Sequence, residues 1–173
     1  GRSPSTVARK LAAVKGLFKF LEGQRGLSQN PTTFIDAPRL WRRLPQTLSR
    51  DEVTRLLGSI NQEEALGLRD LAMLELLYGA GLRVSELVSL DVTHCNLDAG
   101  FLRCMGKGSK ERIVPVGRSA AAAIRRYASK ERPVLMKRRP DTAALFVNRS
   151  GARLTRQRVW QLLRRYAKAG AIQ

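Results

Sequence analysis

The sequence predicts an α+β chain, mainly α-helical, with a small β-hairpin or sheet, and three observations carry that expectation. Apolar residues recur at spacings of three and four over most of the length, which is the helical period. The period changes over residues 101–116, where two short strand-like runs flank a turn rich in Gly and Lys. Finally, 43% of the 173 residues are hydrophobic and 27% charged, so there is apolar material for a packed core, which a disordered polyelectrolyte lacks.

Taken in order, Val7, Leu11, Val14, Phe18 and Leu21 mark an amphipathic helix over Ser5 to Glu22, with Pro4 at a natural first-turn position. Arg9, Lys10, Lys15 and Lys19 lie mostly off its apolar face, either as a solvated surface or against phosphate. Gly23, Gly26 and Asn30-Pro31 end it. A polar stretch with Pro31, Pro38 and Pro45, and with Arg39, Arg42 and Arg43, reads as a linker. One helix cannot bury its own apolar face, so residues 1–30 are expected to be the last part of a helical domain. Ser49-Arg50-Asp51-Glu52 has the form of a capping box, and Val53, Leu56, Leu57 and Ile60 continue it at helical spacing, so a second domain is expected to begin near residue 48.

Residues Glu64 to Tyr78 are apolar on nearly all sides, as in a helix at a domain centre, and Gly79-Ala80-Gly81 stops them. Leu82 to Leu90 is a short helix with Arg83 and Glu86 three residues apart on one face. Residues 101–105 and 112–116 form the two strands of the hairpin. Ser119 opens an Ala-rich helix, Leu145-Phe146-Val147 is a short strand, and Thr155 caps a last helix with Val159, Trp160, Leu162 and Leu163 on its apolar side.

Charge is segregated along this plan. The chain carries 32 Lys and Arg against 14 Asp and Glu, a formal +18. Residues 1–60 hold +7, residues 61–100 hold −5 and residues 101–173 hold +16. Two basic segments flanking a mildly acidic, apolar one fit a polyanionic partner such as nucleic acid. Two cysteines, Cys95 and Cys104, are too few for a disulfide framework and are expected to be free thiols in a reducing compartment. With the single histidine, His94, they leave little from which to build a zinc site. No apolar run approaches the roughly 20 residues of a membrane span, and a cytoplasmic location is expected.

Three patterns then stand in one order: Gly-Ala-Gly-Leu-Arg83-Val-Ser-Glu86-Leu, the hairpin turn Gly106-Lys107-Gly-Ser-Lys110-Glu-Arg112, and Leu154-Thr-Arg156-Gln157-Arg158-Val-Trp160. In that order they resemble the tyrosine recombinases of the phage integrase family, the Xer-type most closely, over nearly the whole chain. The resemblance implies a tyrosine-recombinase catalytic core over residues 48–173, a linker over 31–47, and, in residues 1–30, the end of a helical core-binding domain. It implies site-specific cleavage and rejoining of double-stranded DNA through a 3′-phosphotyrosyl link, as in DNA integration or chromosome partition, with no cofactor, no metal, no small-molecule substrate and no membrane. Related enzymes work as tetramers on two DNA sites.

By position, Arg83 matches the first catalytic arginine, Lys107 the hairpin lysine that acts as general acid, and Glu86 a supporting acidic residue. Guanidinium donors suit the equatorial oxygens of a phosphate under attack, and a poor alkoxide leaving group needs a proton. Lys110, Arg112, Arg156, Gln157, Arg158, Arg42 and Arg43 are the expected DNA contacts. Beside these roles stand plainer ones: Arg83 as an ordinary i,i+3 partner of Glu86, Lys107 and Lys110 as a charged hairpin tip, and residues 156–158 as a solvated basic face. His94 matches no catalytic position and is expected to be structural. The family's His-x-x-Arg motif and its nucleophilic tyrosine find no match in these 173 residues, so the chain is expected to be a truncated recombinase that binds DNA without cutting it. The alternative is a non-catalytic basic nucleic-acid-binding protein.

Overall fold

The structure, a computed structural model, describes residues 3–24, 26–27, 29–38, 47–105, 111–137 and 139–172. The chain divides into two compact units, 1–47 and 48–173. In the first, helix α1 (Pro4–Gly23) is capped by the Ser3 hydroxyl, which accepts from the Thr6 backbone N–H, and none of its residues is buried. Val7 and Val14 of the expected apolar face are exposed, and so are Leu17 and Phe20, which lie outside that pattern. After it, Thr32 is buried and hydrogen-bonds the Asn30 side chain through its own N–H and hydroxyl.

The second unit opens with α2 (Arg50–Gly58), and the capping box is formed as read: Ser49 Oγ accepts from Glu52 N at 3.2 Å, and Glu52 accepts from Ser49 N at 2.7 Å. Helix α3 (Gly67–Ala80) is the central element, and it begins three residues later than its apolar pattern. Its start is unusual. Leu66 has φ +75°, and Gly67 admits no side chain, since a Cβ there would lie 2.1 Å from the Asn61 carbonyl oxygen. Two of the donors at its start are satisfied from far away: the Glu131 carboxylate accepts from Leu66 N at 2.7 Å and Arg69 N at 2.9 Å, while Gly67 N gives to the nearby Glu64 carbonyl at 2.9 Å.

Gly81, at φ +57°, ends α3 in the left-handed conformation that favours glycine, and the chain turns into α4 (Val84–Ser89). A one-turn 3-10 segment (Val92–His94) leads to a three-stranded antiparallel sheet ordered β1 (Cys95–Asn96), β2 (Phe101–Met105), β3 (Glu111–Pro115). Strand β2 is central, with Leu102 opposite Cys95 on one side and Val114 on the other. The hairpin is therefore as expected, while the two-residue β1 is an addition.

Helix α5 (Arg118–Arg126) continues through a widened π turn (Tyr127–Glu131) into α6 (Arg132–Met136). The widening sits just before Pro133, which has no N–H to give to the helical ladder. The expected strand at 145–147 is absent as such. Ala144 and Val147 make isolated bridges to Asp91 and Arg153, and this segment is buried between helices. Helix α7 (Arg156–Ala169), capped by Thr155 Oγ1, closes the unit against α2 and α4. Trp160 departs from expectation: it is exposed on α7 with the Arg164 guanidinium 4.8 Å above its ring, while Val159, Leu162 and Tyr166 face the core. That core joins Met73 and Leu76 of α3, Leu87, Leu102, Ile124 and the stacked pair Tyr127–Phe146, whose ring centroids are 5.7 Å apart.

Candidate active site

The turn at Gly81 places Arg83 as the N-cap of α4, with extended backbone (φ −68°, ψ 148°), and Glu86 as the third residue of that helix. Glu86 reaches back to accept from the Arg83 backbone N–H at 2.8 Å, which is the carboxylate half of a capping box. The same carboxylate accepts from Arg83 Nη1 at 3.0 Å through Oε1 and from Arg112 Nη2 at 2.8 Å through Oε2. Its side chain is 4% exposed, whereas that of Arg83 is 71% exposed. A buried anion thus holds the base of an outward-facing guanidinium. Burial opposes the charge on Glu86. The hydrogen bonds from Arg83 N–H and its guanidinium and the charges of Arg112 and Arg83 outweigh it, so the carboxyl is held below its ordinary value.

One carboxylate set between two guanidinium groups leaves one positive charge over. Of the five N–H donors on Arg83, one is used toward Glu86 among the described residues, which leaves an orientation-fixed fork facing solvent. Buried Cys104 is the cross-strand partner of Arg112. Burial and the Glu86 charge push its thiol up, and Arg112 partly offsets them. The other thiol, Cys95, is pushed up to about 12 by burial and by Cys104.

The remaining candidates are distributed unevenly. Lys107, Lys110, Arg42 and Arg43 lie outside the described residues. Arg156, Gln157 and Arg158 are all exposed in the first turn of α7, where backbone N–H groups and the helix dipole favour an anion. Arg112, expected against DNA, gives an Nη2 hydrogen bond to Glu86 while its side chain stays 46% exposed. His94 Nδ1 accepts from Asp91 N at 3.0 Å and closes the 3-10 turn, a structural role. Tyr127 is fully buried with its hydroxyl accepting from Val147 N, and Tyr166 is buried with its hydroxyl donating to Asp70 at 2.8 Å. Burial pushes both phenols up to about 12, the Asp70 charge adding to it at Tyr166. Tyr78 is exposed near the end of α3.

Sequence reasoning missed how many arginines are structural. Arg69, 1% exposed, binds Asp70 and the Val147 carbonyl. Arg132 gives hydrogen bonds to the carbonyls of Thr142, Ala144 and Leu145. Arg153 binds the carbonyls of Val88 and Leu90 and the Asp91 carboxylate. The basic excess after residue 100 is therefore partly an internal clamp on loops that lack regular structure. The apolar period carries no trace of this, because it counts polar residues only as interruptions.

Residues 46–173 match the phage integrase family. The tyrosine recombinase XerD of Oceanobacillus iheyensis is 46% identical over 164 residues, which is 95% of this chain and 55% of that protein. The tyrosine recombinase XerC of Herpetosiphon aurantiacus is 43% identical over 165 residues, 95% of this chain and 54% of that one. The chain thus spans about half the length of the curated relatives it matches. The crystal structure of XerH site-specific recombinase bound to difH substrate, a pre-cleavage complex, superposes with a TM-score of 0.78 at 21% identity. The match covers 100% of this chain and 50% of that one, a likeness of fold. With the family match over most of its length and a mainly helical unit built around one small antiparallel sheet, this chain belongs to the phage integrase family of tyrosine recombinases.

Proposed function

We propose that residues 48–173 form part of the catalytic domain of a site-specific recombinase acting on double-stranded DNA, linked by residues 31–47 to a helical core-binding domain of which residues 1–30 are a part. The observation that carries this reading is the Arg83 guanidinium, exposed to solvent yet fixed at its base by a buried carboxylate. Such a fork can donate two parallel hydrogen bonds to the non-bridging oxygens of a scissile phosphate and offset the charge that builds there during attack. Glu86 supports it. Lys107 gives a proton to the departing 5′-oxygen, which would otherwise leave as an alkoxide. Arg156, Gln157 and Arg158 meet the duplex at the start of α7, and Lys110, Arg42 and Arg43 add backbone contacts.

In this reading the attacking phenol is neither Tyr127 nor Tyr166. Both are buried, both have their hydroxyls engaged, and both hold their protons to higher pH than a free phenol. The 173-residue chain therefore binds duplex DNA, with affinity falling steeply as salt rises, and forms no covalent adduct through either residue.

The test uses single-turnover cleavage of a nicked duplex by the full-length gene product, with binding measured in parallel. Arg83→Ala should lower cleavage about 10²–10³-fold, the usual cost of one donor to a developing oxyanion, while duplex affinity stays within about threefold. Loss of affinity in step with cleavage would make Arg83 a DNA contact and overturn the assignment. So would an adduct that disappears on Tyr166→Phe.

A further inference from the structure

We propose that Trp160 and Arg164 act as one base-reading pair on α7, in which the indole positions the Arg164 guanidinium to meet a guanine in the major groove of the target duplex. The inference rests on the reading that the start of α7 meets double-stranded DNA. It adds to that contact a determinant of sequence two helical turns further on.

The rotation of α7 is fixed from its inner side. Val159, Leu162 and Tyr166 are buried, and the Tyr166 hydroxyl donates to Asp70 at 2.8 Å. This leaves Gln157, Trp160, Gln161 and Arg164 exposed on the outward face, at the three- and four-residue spacing of one helix side. From Gln157 to Arg164 the helix rises about 10.5 Å, at about 1.5 Å per residue, which is the height of about three stacked base pairs. A major groove about 12 Å wide admits such a helix.

Charge selects the partner. Helix α7 carries five basic residues and no acidic one. Trp160, 57% exposed, has Arg156, Gln157 and Arg164 as its exposed neighbours one turn away, so it is not the centre of an apolar patch. Those surroundings suit a polyanion with polar base edges better than an apolar protein surface. Arg164 is also differently placed from the structural arginines. Among the described residues it has no ion pair or hydrogen bond, whereas adjacent Arg165 reaches Asp70. Its Cζ lies 4.8 Å from the centre of the Trp160 ring, inside the ~6 Å range of a cation–π contact. A guanidinium held on an indole keeps N–H groups for further acceptors, and bidentate donation to guanine O6 and N7 is the commonest base-specific contact of arginine.

The test selects binding sites for the full-length gene product from a pool of random-sequence duplexes. Affinities for the selected duplex and its single-base variants are then measured over a range of salt. The parent should select a guanine at a position where Arg164→Ala loses roughly fivefold to 150-fold in discrimination, with other positions unaffected. Trp160→Ala should relax the same position, Trp160→Phe should keep part of the preference, and the double variant should be no worse than Arg164→Ala. Both side chains are exposed, so each variant should melt within about 2 °C of the parent. A uniform loss on every duplex, with the salt slope reduced by about 1, would make Arg164 a phosphate contact and overturn the proposal. So would relaxation by Arg164→Ala alone, or a Trp160→Ala variant that reads DNA like the parent but self-associates less on it. If the parent prefers no sequence, the site-specific reading of the protein fails; if it selects a site that neither variant relaxes, the pair alone fails.

Discussion

Replacing Asp70 with alanine is the sharpest test of how the catalytic unit is held together. Asp70 and its neighbour Arg69 are 0% and 1% exposed. Asp70 Oδ1 receives Arg69 Nε at 2.9 Å and Nη2 at 2.6 Å, and Oδ2 receives the Tyr166 hydroxyl at 2.8 Å and Arg165 Nη2 at 3.4 Å. Removing the carboxylate strands a buried guanidinium and frees the C-terminal part of α7 from α3. Breaking one side of a buried ion pair costs about 3–5 kcal/mol. A unit of about 125 residues has an unfolding entropy of roughly 0.26 kcal/mol/K, so Asp70→Ala should lower Tm by about 15 °C. Tyr166→Phe removes one hydrogen bond to a charged acceptor, about 1.5–3 kcal/mol, and should lower Tm by about 6–11 °C. Calorimetry at neutral pH reads both. A Tm drop below about 4 °C for Asp70→Ala, or an equal drop for the two variants, would refute the claim that this pair sits in a low-dielectric interior.

Two further outcomes concern pH. Glu86 titrates below its ordinary 4.5 in the folded chain, so its contribution to stability is complete above pH 4.5 and is lost as pH falls through the lowered value. Urea midpoints should therefore decline less steeply below pH 4.5 in Glu86→Gln than in the parent, and parallel declines would contradict the assigned hydrogen bonds. Tyr127 and Tyr166 titrate near 12 instead of 10, so their contribution is complete below pH 10 and is lost as pH rises from 10 to 12. Tyr166→Phe should lose less stability than the parent across that interval, and phenolate absorbance appearing near pH 10 in the folded Tyr78→Phe protein, which lacks the exposed phenol, would refute the burial of the other two rings.

What the sequence made legible follows the range of the interactions involved. The Ser49–Glu52 capping box and the stop at Gly81 are matters of three or four residues and have the expected geometry, and Arg83 and Glu86 meet as read, though Arg83 is the extended N-cap of α4 and not a residue on its face. The hairpin is equally local, and its strands agree to within one residue. Failures began where distant parts of the chain decide. Arg69 and Asp70 interrupt an apolar run and read as a polar edge, yet they are the most deeply buried charges among the described residues, because Val147 and Tyr166 supply their partners. Residues 145–147 read as a strand from their apolar run, yet they form only an isolated bridge and single backbone bonds to Leu90 and Leu154, and side chains of Arg132 and Arg69 take up their carbonyls. Trp160 was assigned inward on hydrophobicity, but helix rotation is set by Val159, Leu162 and Tyr166, and it turns the indole out. At the site, the Arg83–Glu86 half was readable and the Arg112 half was not, since nothing in residue spacing announces a bond across 26 positions.

The remote cap on α3 bears on the order in which the catalytic unit is built. A helix normally carries the acceptor for its first amides in its own preceding residues and can nucleate as soon as those are present. Here Gly67 N has the nearby Glu64 carbonyl, but the acceptor for Leu66 N and Arg69 N is Glu131, 65 residues after Leu66, in the π turn that follows α5. During synthesis the first turn of the central helix stays unfinished until that later segment has emerged and docked. Maturation of α3 and settling of the α5–α6 region are thereby a single, late, long-loop event, and such closure is slow because its entropy must be lost before the contact rewards it.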